Sequence, residues 1–541
     1  MLPERIQVLI VGGGPCGLML AIELGRRGIG ALVLDQKAGT AFNPQANATQ
    51  ARTMEYYRRL GFADEIRAAG LPAEFPTDIA YFTRFATREL ARFRLPSARE
   101  ARESVSTLSG SWSAAELPHR VAQKYVEQVL RRHAERVARV HYGWRVTGFA
   151  AQHDHVEVQA EPAAGGARHA LRCEYLVGAD GARSLVRQAM GWRYGGETGV
   201  VRDFVGGRMY AVYCRIPDFY RTVPHPPAWM NVSFNPERRS FMPAVDGQGE
   251  FAFHTQLKPH EEEARIDTAA AAAMVRQAIG APLAVEVLAR DTWTAGHALV
   301  AERYGEGRIF IGGDAAHLFT PTGGLGYNTA VEDAVNLGWK LAAVLKGRAA
   351  PRLLGSYEVE RKPLAARNTT YAKRFADSLG NFQPVAEIED DTPAGAAARD
   401  HAGRYLEAHG RAEFNIPGIT FGGRYDGSPA IVGDGSAPPP EAANTYAPSA
   451  CPGGRPPHAW LDDGRSLFDL FGLDWTLVCF GETAIEAERA RQEDLQLVKL
   501  PSAALRTLYG APFALIRPDQ IVAWRGNDAQ AGLHALEYLR G

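Results

Sequence analysis

The chain has 541 residues, of which 46% are hydrophobic and 22% are charged. This length exceeds what one hydrophobic core fills, so we expect roughly three domains. The 60 Lys and Arg residues nearly balance the 61 Asp and Glu residues, and the formal net charge is -1. A near-neutral chain has no basic field for nucleic acid, so a small-molecule partner is favoured and no nucleic acid is expected.

The start of the chain and the cysteines exclude further classes of protein. The first apolar run is too short for a signal peptide or a membrane span, so we expect a cytoplasmic protein that does not bind membranes. The five cysteines lie far apart and form no Cys-x-x-Cys pair. Neither a disulfide framework nor a metal site is therefore predicted.

The stretch IQVLIVGGGPCGLMLAIELGRRGIGALVLD (residues 6–35) predicts a βαβ unit with a Gly-x-Gly-x-x-Gly turn. The glycines permit a tight turn, the approach of a pyrophosphate to the helix N-terminus and close packing of helix on strand. The acid that closes the second strand is placed to accept a hydrogen bond from a ribose hydroxyl. An adenine dinucleotide is predicted, and its candidate ligands are Gly12, Gly14, Pro15, Gly17 and Asp35.

Two later strands also end in turns that are rich in glycine and aspartate. EYLVGADGARSLVR (174–187) closes a strand at Asp180, and IGGDAAHLFTPTGGLGYN (311–328) carries Asp314 and a glycine turn before an apolar helix. Glycine lets a backbone approach a ligand closely. The positive end of the helix would face that ligand, where Asn328 can cap or hydrogen-bond. We assign three polar residues farther along the helix to packing and the helix surface: Asp333, Asn336 and Lys340.

The segment 190–295 contains strands that are rich in aromatic residues. Alternation in its first strand puts Tyr210 on one face and Tyr213 and Arg215 on the other, and either face could line a ligand site. A mixed sheet that walls an apolar aromatic pocket is the general expectation for a small-molecule site. The polar candidates for substrate activation are Tyr210, Tyr213, Arg215 and His254, and a structural role is the competing interpretation for each.

The composition changes after about residue 385. Residues 386–456 are acidic and then rich in proline and glycine, which is typical of an extended linker. Residues 457–541 alternate strands and helices, and Cys479 lacks a partner for disulfide exchange. We expect a structural or dimer-supporting tail, so a homodimer is one expected state.

The order of the three motifs resembles that of the class A flavin-dependent aromatic hydroxylases, which include para-hydroxybenzoate hydroxylase, phenol hydroxylase and the polyketide-tailoring hydroxylases. The resemblance implies an α/β fold with a Rossmann-like FAD-binding domain, a discontinuous mixed-sheet substrate domain and a C-terminal thioredoxin-like domain. It also implies bound FAD, NADPH or NADH as co-substrate, O2 and an aromatic substrate. The expected bounds are 1–75, 100–190 and 295–385 for the first domain, 76–99 and 191–294 for the second, 386–456 for the linker and 457–541 for the tail.

The resemblance also assigns roles to single positions. Asp314 matches the residue at the flavin ribitol and pyrophosphate, and Pro321 matches the segment along the isoalloxazine. Gln45 stands where many relatives have an FAD-contacting arginine. Asn47 stands where phenol hydroxylase has an acid beside flavin and substrate, and a neutral amide cannot serve as a base. The other matched cofactor positions are Arg52, Arg120, Gln123, Gly324, Gly326, Tyr327 and Asn328.

The family mechanism indicates what the site must supply. NAD(P)H reduces FAD, oxygen adds at the flavin C4a, and the hydroperoxide transfers its distal oxygen to an electron-rich ring. Full ionisation of a phenol with a pKa of about 10 requires about 4 kcal/mol at pH 7, so a basic or hydrogen-bonding partner is expected. The WxWxIP signature of flavin halogenases and a second GxGxxG are absent. A flavin-binding redox scaffold or interaction protein without hydroxylase activity stays as the alternative.

Overall fold

The computed structural model describes residues 2–200, 202–481 and 495–540. The strands up to residue 200 are β1 (Arg5–Val11), β2 (Ala31–Asp35), β3 (Ala48–Thr49), β4 (Ile79–Phe82), β5 (Glu89–Phe93), β6 (His119–Arg120), β7 (Arg139–Tyr142), β8 (Trp144–Ala151), β9 (Val156–Pro162), β10 (His169–Gly178) and β11 (Tyr194–Glu197). The helices of the same part are α1 (Pro15–Arg26), α2 (Ala51–Arg59), α3 (Ala63–Ala68), α4 (Ala98–Ser104), α5 (Gln123–Val137) and α6 (Leu185–Ala189).

The later elements follow in the same way. The strands are β12 (Gly207–Arg215), β13 (Met230–Phe234), β14 (Arg239–Pro243), β15 (Glu250–Gln256), β16 (Glu286–Ala295), β17 (Ala298–Ala301), β18 (Gly305–Glu306), β19 (Ile309–Ile311), β20 (His317–Leu318), β21 (Thr476–Cys479), β22 (Gln496–Lys499), β23 (Phe513–Ile516) and β24 (Val522–Gly526). The helices are α7 (Phe219–Thr222), α8 (Thr268–Ile279), α9 (Leu325–Leu345), α10 (Ser356–Asn381), α11 (Pro393–Phe414), α12 (Pro417–Phe421), α13 (Ala503–Tyr509) and α14 (Ala529–Arg540).

The first sheet brings the three sequence motifs to one edge. Its parallel strands run in the order β19-β10-β1-β2-β7, and β9 with β8 extends it from β10. Val11 at the end of β1 lies beside Gly178 at the end of β10, and Gly178 lies beside Ile311 at the end of β19. The three turns therefore leave the sheet at the carboxyl ends of its strands, where α/β sheets bind ligands.

A second sheet forms the wall expected for a substrate domain. Its strands run in the order β16-β12-β15-β14-β13-β4-β5, so it combines chain segments 79–93 and 207–295. Aromatic side chains form much of the core on one side of this sheet. The other side faces the glycine-rich turn after β20 across a cavity.

The segment 386–456 contains a long helix and is not an extended linker throughout. Helix α11 packs against β5 and begins with Pro393 after the Thr392 side chain, which accepts a hydrogen bond from the Gly395 amide at 3.1 Å. Its small residues permit a close approach, since a Cβ on Gly403 would lie 2.4 Å from the Leu90 carbonyl oxygen. The small residues of α11 therefore serve helix-on-sheet packing, and the linker prediction is wrong for this part of the segment.

The C-terminal domain has its own sheet in the order β22-β21-β23-β24. It packs on the first domain through Trp475, whose ring centroid lies 5.7 Å from that of Trp339 on α9. Cys479 is buried in β21. Within the described residues, no helix is long and apolar enough to cross a membrane.

Candidate functional site

A cavity of about 530 Å³ opens where the parallel strands end. The turn after β1, the turn after β10 and the turn after β19 all contribute to its lining. A Cβ on Gly14 would meet no atom within 4 Å, so the turn leaves free space at the N-terminus of α1. This is the space that a pyrophosphate requires at a helix N-terminus. The predicted cofactor residues in the lining are Gly12, Gly14, Pro15, Asp35, Gln45, Gln123, Asp180, Asp314 and Tyr327.

Asp35 and Asp180 are held by backbone amides and still face this cavity. Asp35 accepts hydrogen bonds from the amides of Gly13 and Lys37, both at 2.7 Å. Asp180 Oδ2 accepts from the Val186 amide at 3.2 Å, while its buried Oδ1 makes no hydrogen bond within the described part of the chain. Burial raises the pKa of Asp180.

Asp314 is positioned by a buried network behind the cavity. Asp333 on α9 accepts hydrogen bonds from the Gly313 amide at 3.1 Å and from His317 Nε2 at 2.7 Å. Arg361 Nε donates to the other oxygen of Asp333 at 2.8 Å. The Asp314 carboxylate itself points into the cavity, where desolvation raises its pKa. The network fixes the backbone of the turn and leaves this side chain free for a ligand.

A second cavity of about 380 Å³ adjoins the first. Both linings include Gln45, Ala46, Asp314 and Tyr327, so the cavities meet at these residues. The volume lies within the range of small-molecule sites, about 300–1,000 Å³. The rings that line it are those of Tyr213, Trp229, Phe241, His254, Trp293, Phe319, Tyr327 and Phe414.

The arrangement combines a dinucleotide cradle with an aromatic pocket. The FAD binding domain model matches residues 5–372, and the model for the C-terminal domain of aromatic-ring hydroxylases matches residues 449–539. The chain belongs to the FAD-dependent aromatic-ring hydroxylases. The predicted family, fold class, bound FAD and monooxygenase activity are thereby confirmed.

Individual relatives cover almost the whole hydroxylase. The FAD-dependent monooxygenase apdD of Emericella nidulans is 31% identical over 97% of this chain and 88% of its own. Aklavinone 12-hydroxylase RdmE of Streptomyces purpurascens is 30% identical over 98% of this chain and 96% of its own. A structure of RebC described as native and K252c-bound superposes with a TM-score of 0.88 at 32% identity and covers 100% of both chains.

The second cavity collects most of the predicted substrate and flavin-ring residues. Asn47, Tyr213, His254 and Pro321 line it, as do Gln45, Asp314, Gly324, Gly326 and Tyr327. In the sheet, Ala211 pairs with His254 and Tyr213 pairs with Ala252. These residues line the cavity, so the face of β12 that carries Tyr213 is the one that lines the site. Tyr210 lies in the core on the opposite face. Arg215 lies outside the cavity and pairs with Glu250 and Glu286, both at 3.0 Å.

Two predicted cofactor residues serve packing instead of lining either cavity. A Cβ on Gly17 would lie 2.0 Å from the Gly12 carbonyl oxygen, so Gly17 permits helix α1 to approach the turn. Asn328 accepts from the Gln50 amide at 2.8 Å and donates to the Ala48 carbonyl at 2.9 Å. It therefore joins α9 to the segment after β3.

Two predicted arginines also lie elsewhere. Arg52 donates to the backbone carbonyls of Asp519 and Gln520, both at 2.9 Å, and so joins α2 to the C-terminal domain. The Arg120 guanidinium stacks 4.1 Å from the ring centroid of Trp229, behind the wall of the aromatic cavity. Desolvation lowers the pKa of Arg120 to about 10. Neither arginine lines the dinucleotide cradle.

Several site residues escaped the sequence analysis. Glu413 Oε1 accepts from the Gly323 amide at 2.8 Å and thereby holds the glycine turn, and Phe414 beside it lines the aromatic cavity. Both residues lie at the C-terminus of α11, within the segment that the sequence composition predicted to be a linker. Lys124 donates to the Tyr213 hydroxyl at 2.6 Å. The position of Lys124 next to the predicted cofactor residue Gln123 was the only hint in the sequence. The contact with Tyr213 could not be predicted, because the two residues lie far apart in sequence.

The asparagine and lysine of α9 that we assigned to packing and the helix surface are buried. Lys340 Nζ donates to Asn336 at 2.7 Å and to Glu360 at 2.5 Å. Their role is packing between α9, α10 and the C-terminal domain. Across the described ranges, no group of three or more His, Cys, Asp or Glu residues is arranged to hold a metal ion.

Proposed function

We propose that this hydroxylase uses NADH or NADPH and O2 to hydroxylate a phenolic or polycyclic aromatic substrate. The observation that carries the proposal is the meeting of the aromatic cavity with the dinucleotide cradle at Gln45, Asp314 and Tyr327. A planar ligand in the second cavity would lie against the end of an FAD that the first cavity holds.

The residues of the cradle suit FAD. Asp35 is available to a ribose hydroxyl, Gly14 leaves the pyrophosphate its space, and Asp314 is available on the ribitol side. Pro321 and Gly324 line the region where the flavin ring would reach. When bound, reduced FAD supplies the O2-derived oxygen that an electron-rich ring can attack. The chain itself binds and orients that ring and excludes water from it.

Polar side chains in the second cavity would orient the substrate. Asn47 offers an amide that donates or accepts a hydrogen bond but takes up no proton. The Tyr213 hydroxyl accepts from Lys124 and donates to Glu250. Burial and the hydrogen bond to Glu250 raise the pKa of Tyr213, so its hydroxyl stays protonated near neutral pH. Tyr213 therefore serves as a hydrogen-bonding group and not as a base.

Relatives support a polycyclic substrate. RdmE is named for aklavinone, and one RebC structure is described as containing 7-carboxy-K252c. The aromatic lining of the present cavity, with Trp229, Trp293 and Phe414, suits stacking and edge contacts with such rings.

The test measures coupling of cofactor oxidation to oxygenation. The FAD-loaded enzyme would receive NADH or NADPH with phenol, aminophenol, naphthol or hydroxyanthraquinones under isotopically labelled O2. We expect at least one compound to stimulate NAD(P)H oxidation and to gain one labelled oxygen atom, detected by mass spectrometry. NAD(P)H oxidation that no aromatic compound stimulates would favour the flavin-binding scaffold.

A further inference from the structure

His254 lies in the wall of the aromatic cavity with one ring nitrogen already engaged. The residue is 8% exposed, and its ring stacks on Phe241 with centroids 4.6 Å apart and an interplanar angle of 16°. Trp293 Nε1 donates a hydrogen bond to His254 Nδ1 at 3.2 Å. Stacking and hydrogen bond together fix the orientation of the ring.

The hydrogen bond from Trp293 also determines the tautomer of His254. An indole nitrogen can only donate, so His254 Nδ1 must accept and carries no proton. A neutral imidazole then carries its proton on Nε2. Desolvation lowers the pKa of His254 to about 4, so the ring is neutral at neutral pH. Nε2 makes no hydrogen bond to any residue in the described ranges, and the side chain lines the cavity.

His254 lines the cavity, so an acceptor oxygen of a ligand there can receive the Nε2–H. A base at the same position would need a free lone pair on Nε2, which this tautomer does not offer. A histidine in the pocket of an aromatic hydroxylase could be interpreted as the base that deprotonates a phenol. The hydrogen bond from Trp293 indicates instead that His254 is a hydrogen-bond donor to the ligand.

We propose that His254 donates its Nε2–H to an acceptor oxygen of the aromatic substrate, a ring carbonyl or a phenol oxygen, and that Trp293 is the positioning residue that maintains this donor. This inference rests on the proposed function for the presence of an aromatic ligand in the cavity. It adds that the substrate carries an oxygen at the edge that faces β15. No proton is transferred in this contact, because the hydrogen stays on His254.

Ligand binding without turnover tests the donor. The oxidised, FAD-loaded enzyme would be titrated with anthracene, hydroxyanthracene and anthraquinone, and the dissociation constants read from the change in flavin absorbance. We expect wild-type enzyme to prefer at least one oxygen-bearing ligand over anthracene by about three- to tenfold, the worth of one neutral hydrogen bond. The ligand that is preferred distinguishes a carbonyl from a phenol contact.

Three variants separate the donor from a packing role. His254→Phe keeps a stacked ring without the N–H and should abolish the preference while leaving anthracene binding near wild type. Trp293→Phe frees both tautomers and should reduce the preference in part. Tyr210→Phe, on the opposite face of β12, is the matched control and should retain it.

A pH series separates donor from base. The charged groups that line the same cavity are Arg290, Asp291, Asp314 and Glu413. Affinity for uncharged anthraquinone should stay level between about pH 5 and 8, the range in which an unperturbed histidine changes its charge. A step in that range that His254→Phe removes would overturn the donor assignment.

The inference and the proposed function fail differently. A wild-type preference that survives in His254→Phe refutes the donor even if hydroxylation is observed. Absence of NAD(P)H-coupled hydroxylation, with the preference present in wild type and lost in His254→Phe, refutes the proposed reaction and leaves the binding contact. Failure of all three ligands to bind wild-type enzyme refutes the binding contact, whereas NAD(P)H-coupled hydroxylation of a phenol would leave the proposed function standing.

Discussion

The three glycines of the first motif are required for different reasons. Gly12 has φ +109° and a Cβ there would lie 2.1 Å from the Ala179 carbonyl oxygen. Gly17 is confined by the Gly12 carbonyl in the same way. Gly14 has φ -83°, which any residue adopts, and its missing Cβ would point into the cradle. Gly12 and Gly17 are therefore required by the fold, and Gly14 is required by the ligand.

Replacing Gly14 should separate folding from cofactor binding. Gly14→Val puts three carbon atoms into the pyrophosphate space without strain in the backbone. We expect a folded protein that purifies colourless, measured by circular dichroism and by absorbance of the flavin. Gly12→Val serves as the contrast and should fail to fold, because its side chain meets backbone. Full flavin occupancy in Gly14→Val would contradict the cradle.

Asn47 lies at the meeting of cofactor and substrate regions, where a charge would act on the ring. Asn47→Asp introduces a carboxylate of similar size at a half-buried cavity position. We expect the pH dependence of kcat/KM to change with little effect on FAD binding. Asn47→Ala removes a neutral hydrogen bond and should lower kcat/KM about three- to tenfold. Identical pH profiles and coupling in both variants would mean that Asn47 does not touch the substrate.

At the scale of elements, helix α9 organises both cavities. Its N-terminal residues line the aromatic cavity, and its third turn presents Asp333 to the turn that carries Asp314. Arg361 of α10 pairs with Asp333 from behind at 2.8 Å. The conformation of the turn after β19 is therefore stabilised by α9, through Asp333, and by α10, through Arg361.

Breaking this anchor should weaken FAD binding from outside the cavity. Asp333→Asn cannot accept from Gly313, His317 and Arg361 with full charge, so the turn should loosen. We expect about tenfold weaker FAD affinity in a fluorescence titration, the scale of one charge-assisted hydrogen bond of about 1.5–3 kcal/mol. Glu332→Gln is the matched control, since Glu332 also pairs with Arg361 but contacts no part of the turn. Equal FAD affinity in both variants would show that the anchor is not needed.

At the scale of the molecule, the C-terminal domain is joined to the FAD-binding domain by buried charges. Arg517 pairs with Glu360 of α10 and with Asp519, both at 2.6 Å, and the three side chains are at most 1% exposed. Arg455 pairs with Glu55 of α2 at 2.5 Å. Each pair needs both partners, because an unpaired buried charge is strongly destabilising. The tail is therefore an integral part of the fold.

Removing one charge at this interface should destabilise the whole enzyme. Arg517→Met leaves Glu360 and Asp519 buried with less compensation. We expect a loss of about 3–5 kcal/mol in the free energy of unfolding, measured by urea denaturation. Arg465→Met removes an exposed pair, with Arg465 57% exposed, and should change stability by about 0–1 kcal/mol. Similar losses in the two variants would contradict a tightly coupled interface.

Acid should weaken the same interface in a defined direction. Burial alone would raise the pKa of Glu55, but Arg455 and Arg52 lower it from 4.5 to about 2. A carboxyl with a lowered pKa in the folded state contributes stability that is present above the unfolded value and is lost as pH falls through the folded value. We expect the free energy of unfolding to fall as pH decreases from 4.5 towards 2. In Glu55→Gln, this part of the pH dependence should disappear.

The cofactor-binding motifs could be predicted from the sequence because each lies within one short stretch of the chain. Gly12, Asp35, Asp180 and Asp314 each stand at the end of a predicted strand, and parallel strands end at a common edge. That edge is where the structure has them. The aromatic wall could be predicted only in part. Alternation along β12 places Tyr210 and Tyr213 on opposite faces of the strand but does not determine which face lines the cavity.

The sequence by itself predicted a βαβ unit and an adenine dinucleotide, because a strand-turn-helix motif carries its backbone geometry with it. The resemblance of the three motifs to a known family added FAD, the fold class and the family. Only the tertiary structure decided which residues meet. Arg52 faces the tail, Arg120 stacks on Trp229, and Glu413 from the supposed linker holds the glycine turn. These contacts join segments up to several hundred residues apart, so no local pattern records them. The tautomer of His254 is of the same kind, since it depends on an indole from a strand that follows β15 only after helix α8.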